Sequence, residues 1–398
     1  MIPSWISFLV ILGFILIFSN KELGIVLIIA SIFFGLLAQV DIISVSINTL
    51  LDPKNIILAI AVALIPILGG LMEKSGNMIK AIKKLNVSER ASLMATPALF
   101  GLLPVAGGAL MSAPLVDQIS PEMKNDKKIA INVWYRHILI LIYPLSSTLI
   151  ISSQIAKIGL YMMAFTLIPS FFLMFIVGYF TMIRKTKEKI VNHTRDIKGA
   201  LYLLIPVLIA PLIDFLGRTF VPFIIPEAFL LVGLIISIGI GLWMAGFSLL
   251  KVKTISKEMK IWRFPLLIIG MFLFLNVFKS SRVAIEISAL SFPLIIFIIF
   301  GFFLGFATGR TEVPMSILIP LFFVQFGFSV MPLFDFSLIY TATFLGYLIT
   351  PIHPCVAYSI NYFNTNYKET LKELLLPTII CLGIVFLVYF LSIPFNQI

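Results

Sequence analysis

Residues 305–317 read Gly305-Phe306-Ala307-Thr308-Gly309-Arg310-Thr311-Glu312-Val313-Pro314-Met315-Ser316-Ile317. The surrounding sequence, over about 288–327, is apolar, so a glycine and two charges sit inside a hydrophobic run. An earlier stretch is broken in the same way. Over about 91–118 it contains Ala95-Thr96-Pro97-Ala98-Leu99-Phe100-Gly101-Leu102-Leu103-Pro104-Val105-Ala106-Gly107-Gly108-Ala109-Leu110-Met111-Ser112-Ala113-Pro114-Leu115. Non-helical backbone and charge are tolerated within a bilayer only inside protein or beside a cavity. Each stretch therefore reads as a helical hairpin that enters the membrane and returns to the same side.

The rest of the chain supplies that membrane context. Of its 398 residues 60% are hydrophobic and 12% charged, with a mean hydropathy of +1.10. Soluble domains carry roughly 25% charged residues. A soluble enzyme, a secreted disulfide scaffold and a disordered chain are excluded. The apolar runs are continuous, which excludes a β-barrel. They fall near 3–19, 22–40, 56–73, 129–155, 157–183, 199–216, 227–250, 263–278, 335–362 and 370–394. The expected fold is an all-α polytopic membrane protein of about ten transmembrane helices plus two re-entrant hairpins. Met1-Ile2-Pro3-Ser4-Trp5 has no basic n-region, so the first run is read as a retained helix. Cys355 and Cys381 lie in apolar stretches and are too few for a disulfide framework or a zinc site, so no metal is expected.

The two halves repeat. The offset that carries Gly101 onto Gly305 also carries Met111-Ser112 onto Met315-Ser316. Nearly the same offset carries Lys74-Ser75 onto Lys279-Ser280 and Pro144 onto Pro351. Each half has three spans, a broken hairpin and two spans. Five crossings per half require inverted repeats. The expected organisation is a first repeat over 1–183, a basic linker over 184–198 and a second repeat over 199–398. The net charge of +11 belongs to this topology. Lys and Arg crowd loops near 21, 74–128, 184–198, 251–263 and 364–372, leaving Lys54, Lys157, Arg218, Lys279 and Arg282 on the other side. The positive-inside rule then puts both termini outside and excludes nucleic acid as the partner of the charge.

Chemistry is expected at the breaks. At the first tip, Gly107 and Gly108 permit an exposed backbone, and the arm through Ser112 aims a helix N-terminus into the protein, suiting an anion. The second tip offers Gly309, Arg310 and Thr311 for an anionic group, and Glu312 for Na⁺ or a proton. The competing structural reading has Thr311 cap the following helix and Glu312 pair with Arg310. The span after each hairpin is itself broken, at Pro144-Leu145-Ser146-Ser147-Thr148 and at Thr350-Pro351-Ile352-His353-Pro354-Cys355. Freed carbonyls and hydroxyls there, including Ser146, Ser147 and Thr350, suit a cation, and the half-helices suit an anion. His353 binds substrate, relays a proton or serves as a buried hydrogen-bonder. Arg136-His137 is read as snorkelling to the inner interface, and Asp117 as a cap or ion-pair residue. No Walker A, G-x-G-x-x-G, H-E-x-x-H or C-x-x-C motif occurs, so neither ATP-driven pumping nor catalysis is expected.

The stretch Leu103–Asp117, with Thr350-Pro351-Ile352-His353-Pro354-Cys355 and Asn361-Tyr362-Phe363, resembles a prokaryotic membrane family catalogued as domain of unknown function four hundred and one. That family is placed in the ion-transporter superfamily, distantly similar to gluconate permeases and divalent-anion/sodium symporters. The resemblance implies a multi-pass protein of the prokaryotic inner membrane, a homodimer, a substrate held between hairpin tips and helix breaks, and alternating access. The Ser-Asn-Thr hairpin signature of the dicarboxylate branch is absent; Gly107-Gly108-Ala109 and Arg310-Thr311-Glu312 stand in its place. The resulting expectation is a secondary active transporter of a small organic anion coupled to Na⁺ or H⁺, with no cofactor beyond a coupling ion and no partner beyond solute, ion, lipid and a second copy of the chain. A cation/proton antiporter is the near alternative. A membrane-embedded enzyme acting on a lipid-linked substrate is the distant one.

Overall fold

Backbone polar groups in hydrocarbon have to be satisfied within their own segment, so apolar runs of this length fold as helices. The computed structural model describes residues 4–18, 21–103, 108–186, 195–283, 286 and 291–393, and no strand occurs among them. The first half contributes α1 (Ser4–Ile17), α2 (Leu23–Leu37), α3 (Ile42–Leu51), α4 (Pro53–Lys74), α5 (Asn77–Leu85), α6 (Glu89–Gly101) and α7 (Gly108–Ile119). It continues with α8 (Asn125–Ile140), α9 (Ser147–Ala156), α10 (Leu160–Thr166) and α11 (Ile168–Gly178), the last running into a π-helical turn over Tyr179–Ile183. The second half contributes α12 (Ile197–Phe220), α13 (Glu227–Ala245), α14 (Leu249–Glu258), α15 (Arg263–Ser280) and α16 (Leu294–Thr308). It ends with α17 (Glu312–Phe326), α18 (Leu333–Ile349), α19 (Pro354–Phe363) and α20 (Tyr367–Ser392).

Seven of the described segments are long and apolar enough to cross a membrane: α4, α10–α11 with the π turn, α12, α13, α15, α18–α19 and α20. With α1, α2 and the broken pair α8–α9 they make up the ten expected spans, and α6–α7 and α16–α17 form the two hairpins. The tip of the first hairpin, including Gly107, lies outside the described residues.

The helix pairs that pack together fall under a two-fold correspondence. Matching α2 with α13, α3 with α14 and α4 with α15 turns the α2–α15 contact into α13–α4, and α3–α15 into α14–α4; all four occur. Matching the hairpins and broken helices turns α6–α8 into α16–α18 and α7–α19 into α17–α9, which also occur. The exchanged contacts divide the bundle by position within each repeat. The helices α1–α4 and α12–α15 form one sector, and the hairpins, broken helices, α10–α11 and α20 form the other.

Close backbone approach fixes the second sector. Gly101 of α6 lies so near the Arg136 carbonyl of α8 that a Cβ would collide with it. Gly305 of α16 meets the Thr343 carbonyl of α18 in the same way, and Gly346 meets that of Phe302. The offset that relates Pro144 to Pro351 also relates Arg136 to Thr343, so the two glycine–carbonyl contacts are one contact repeated.

Gly101→Ala and Gly305→Ala are each expected to destabilise the protein by about 1–3 kcal/mol through overpacking. Gly383→Ala in α20, where a Cβ meets nothing, is the neutral control. Thermal unfolding in detergent, followed by loss of monodisperse protein, separates the three.

Candidate functional site

Proline and polar residues interrupt α8–α9 over 141–146 and α18–α19 over 350–353, leaving two half-helices that begin within the bundle. A third helix, α17, begins just past the second hairpin tip. Helices α3, α4, α6, α12 and α20 are capped by the side chains of Asp41, Asp52, Ser88, Asp196 and Asn366. At the interior starts Ser146, Thr311 and His353 no side chain caps α9, α17 or α19, as is also true of α2, α8, α10, α13 and α18. The positive ends of α9, α17 and α19 border one cavity of about 650 Å³.

Within this cavity the breaks and the second tip touch. Ser147 Oγ donates to Glu312 Oε1 at 2.9 Å, and the Thr148 and Thr311 hydroxyls lie 2.7 Å apart. These bonds cross from the first repeat to the second. Gly309 turns the chain with φ +60°, and a Cβ there would stand 3.2 Å from Ile352 Cβ and 3.4 Å from the His353 nitrogen. The second tip is thus wedged between both breaks. The cap and ion-pair reading of this tip is corrected. The Thr311 hydroxyl serves Thr148 and does not cap α17, and no ion pair among the described residues joins Arg310 to Glu312.

Arg136 and His137 depart from the sequence reading. Neither snorkels to an interface: Arg136 is 3% exposed and His137 1%. Gly101 draws α8 against α6, which carries both residues into the cavity wall. The Arg136 guanidinium packs against Gly108 at the start of α7, where a Cβ would collide with it. Nη2 donates to the Leu103 carbonyl at 3.3 Å, while Nε and Nη1 are buried without a partner. Next to it, His137 and His353 meet edge to face with ring centroids 4.6 Å apart, and the Tyr347 ring centroid lies 4.2 Å from that of His353.

Of the residues singled out in the sequence, Ser146, Ser147, Gly309, Arg310, Thr311, Glu312 and His353 line the cavity. Gly108 sits behind the Arg136 guanidinium and is not itself part of the lining. Ser112 is drawn away from it: its Oγ donates to Asn132 Oδ1 at 2.6 Å, and Asn132 Nδ2 donates to Ser359 Oγ at 3.1 Å. Thr350 is fully buried beside the cavity, with its hydroxyl unpartnered. Arg310 lies at the mouth, where Nη2 reaches the Lys21 carbonyl at 3.4 Å. Asp117 forms an ion pair with Lys128 at 2.6 Å. Arg136 was the residue undervalued in the sequence; the available signal was a guanidinium eight residues inside an apolar run.

A family model described as "Protein of unknown function (DUF401)" matches residues 3–392. Among solved structures, the chain is similar to the Alcanivorax borkumensis YdaH transporter, whose topology is described as unusual. The identity is 17% and the TM-score 0.60, over 84% of this chain and 85% of that one, a likeness of fold. No curated protein sequence matches the chain.

Gly309→Ala is expected to cost more than Gly327→Ala. Both glycines have positive φ, +60° and +71°, worth about 1–2 kcal/mol for a residue with a Cβ. Only Gly309 also has neighbours in the way. Paired melting curves test the difference, and equal losses would mean that the wedge between the breaks contributes nothing.

Proposed function

The chain belongs to the family of proteins of unknown function DUF401, and from that premise we propose that it is a secondary active transporter of a small organic anion. The anion is coupled to Na⁺ or H⁺ and moves by alternating access in the manner of the ion-transporter superfamily. The observation that carries this reading is Arg136. A guanidinium does not deprotonate in proteins. A charge at membrane depth costs at least about 2.5–3.5 kcal/mol on insertion scales, and each buried donor without a partner costs about 1–3 kcal/mol more. Arg136 bears that cost in a cavity wall beside three uncapped helix N-termini, with two N–H-bearing nitrogens unspent. A carboxylate in the cavity would satisfy the guanidinium in a forked geometry and complement the helix dipoles.

Glu312 supplies the coupling charge. Its carboxylate sits with the hydroxyls of Ser147, Thr148 and Thr311, an oxygen-rich set that suits Na⁺ when ionised and holds a proton otherwise. Ser146, Gly309 and His353 complete the walls, and Gly108 backs the Arg136 guanidinium. Arg310 takes a mouth position, meeting solute on entry. Catalytic groups have no part in this reading.

Topology supports a state open to the cytoplasm. The cavity mouth includes Lys21, Glu22 and Arg263, which the loop charges place inside, in an inner membrane with both termini outside. Glu22 and Arg263 pair there at 2.5 Å. Toward the other side the sectors are held together by polar contacts. Tyr143 donates to the Val207 carbonyl at 2.9 Å, Tyr161 to Asp214 at 2.9 Å and Gln154 to Glu227 at 2.9 Å. Residues 1–183 and 199–398 act as the two repeats, with the sector of hairpins and broken helices moving against the sector built from α1–α4 and α12–α15.

The test is thermal unfolding of the detergent-purified protein with a panel of small carboxylates, with and without Na⁺, at two pH values. A ligand at about 100 times its dissociation constant stabilises by roughly 2.7 kcal/mol. One carboxylate class is expected to stabilise, more strongly with Na⁺ or at low pH. Stabilisation by Na⁺ or pH alone would transfer the reading to a cation/proton antiporter. Arg136→Gln is expected to abolish anion-induced stabilisation, whereas Arg310→Ala weakens it less. In proteoliposomes Glu312→Gln is expected to lose ion-dependent uptake, and unchanged Na⁺ and pH dependence would remove its coupling role.

A further inference from the structure

We propose that His137, His353 and Cys355 form a binding site for a transition-metal cation of the Zn²⁺ type at the cavity wall. One ligand atom from each of the three lies within 4.8 Å of the others. The imidazoles are already oriented as metal ligands. His137 Nδ1 is 2.6 Å from the Val133 carbonyl and His353 Nδ1 is 3.4 Å from the Leu348 carbonyl. A carbonyl only accepts, so each Nδ1 carries the hydrogen and each Nε2 presents a lone pair. The two His carbonyl contacts are the outer-shell partners that fix a ligating histidine. His353 is 1% exposed, yet its Nε2 has no partner, which is an unexplained buried acceptor in any purely structural reading.

The third ligand chooses the metal. Two imidazoles and a thiolate favour Zn²⁺ or a softer ion over Mg²⁺, Ca²⁺ or Na⁺. Ligands on tetrahedral zinc stand about 3.3–3.6 Å apart, given bond lengths of ~2.0–2.3 Å, so small side-chain rotations close the set. On binding, the thiol proton leaves to water, a sulfur lone pair forms the bond, and the Tyr347 hydroxyl turns away from His137 Nε2, from which it lies 3.2 Å. The thiolate offsets one of the two positive charges, beside Arg136. Three protein ligands leave a coordination position facing the cavity. The ligands come from α8 and from the second break with α19, so the ion ties elements of both repeats together.

The site is tested on the purified full-length chain without any transport assay, so its failure and that of the transporter reading are separable. Stripped protein is dialysed against Zn²⁺ and the bound metal counted, and Co²⁺ is added separately to look for thiolate-to-metal charge transfer. One equivalent of Zn²⁺ is expected, with a Co²⁺ thiolate band. Cys355→Ser and His353→Ala are each expected to weaken binding by at least the roughly 10–100-fold that loss of a mere orienting partner costs. Because a ligand variant can misfold, a second measurement keeps all three ligands: in a Cys381→Ala background, Zn²⁺ is expected to protect Cys355 from maleimide. No bound Zn²⁺ in the parent chain, undiminished binding in both variants, or unprotected Cys355 at saturating Zn²⁺ would each overturn the proposal.

Discussion

A guanidinium held inside an apolar bundle without a carboxylate constrains everything packed around it. Arg136 cannot shed its proton, and no ion pair among the described residues reaches it. Its backbone carbonyl occupies the space where Gly101 would carry a side chain, and its guanidinium occupies the same space at Gly108. Both arms of the first hairpin are therefore shaped to one residue of α8. A Cβ at Gly101 would collide with the Arg136 carbonyl and one at Gly108 with its guanidinium, so hairpin packing and the placement of the charge are coupled.

The repeat that creates this geometry twice does not create the chemistry twice. The register that equates Gly101 with Gly305 also equates Gly108 with Glu312, the first residues of α7 and α17. That of the broken spans equates Arg136 with Thr343, and Thr148 with Cys355. One hairpin thus meets a cation carried by its neighbour, while the other carries its own anion and binds it to Ser147 of the opposite repeat. An architecture with two-fold symmetry presents a positive pole and a negative pole to one cavity. In the proposed function the positive pole would meet the solute and the negative pole the coupling ion.

The hairpins, the broken spans and the two-fold offset were legible because each breaks a hydrophobic period in a way that lipid does not tolerate. Seven long spans follow from the same rule. Two features were not legible. Arg136 looked like a snorkelling residue because its depth depends on Gly101, and a glycine's neighbour across a helix pair leaves no mark in the sequence. Thr311 before Glu312 looked like a cap because capping is judged from local spacing; its hydroxyl bonds instead to Thr148, 163 positions away. The meeting of His137 with the His353-Pro354-Cys355 break was hidden for the same reason, since only tertiary packing brings them together.

In the proposed transport cycle the sector boundary is where the cavity would move while holding charge. The contacts that cross it on the far side, Tyr143 to Val207, Tyr161 to Asp214 and Gln154 to Glu227, are polar hydrogen bonds, whereas those around the second tip join hairpin to broken helix within one sector. Close-packed glycine–carbonyl seams such as Gly305 on Thr343 lie within a sector. A seam of that kind has one packed arrangement and resists sliding, whereas a hydrogen bond can be exchanged for water at a net cost of about 0.5–1.5 kcal/mol. Rigid packing inside each sector and exchangeable bonds between them would let the second hairpin travel as a body with its broken helices in that cycle. Asp214 is fully buried beneath Arg218 and Tyr161, so opening that side has to hydrate a carboxylate already matched by charge. The far side is therefore held by polar interactions that water can replace, as the proposed alternating access requires.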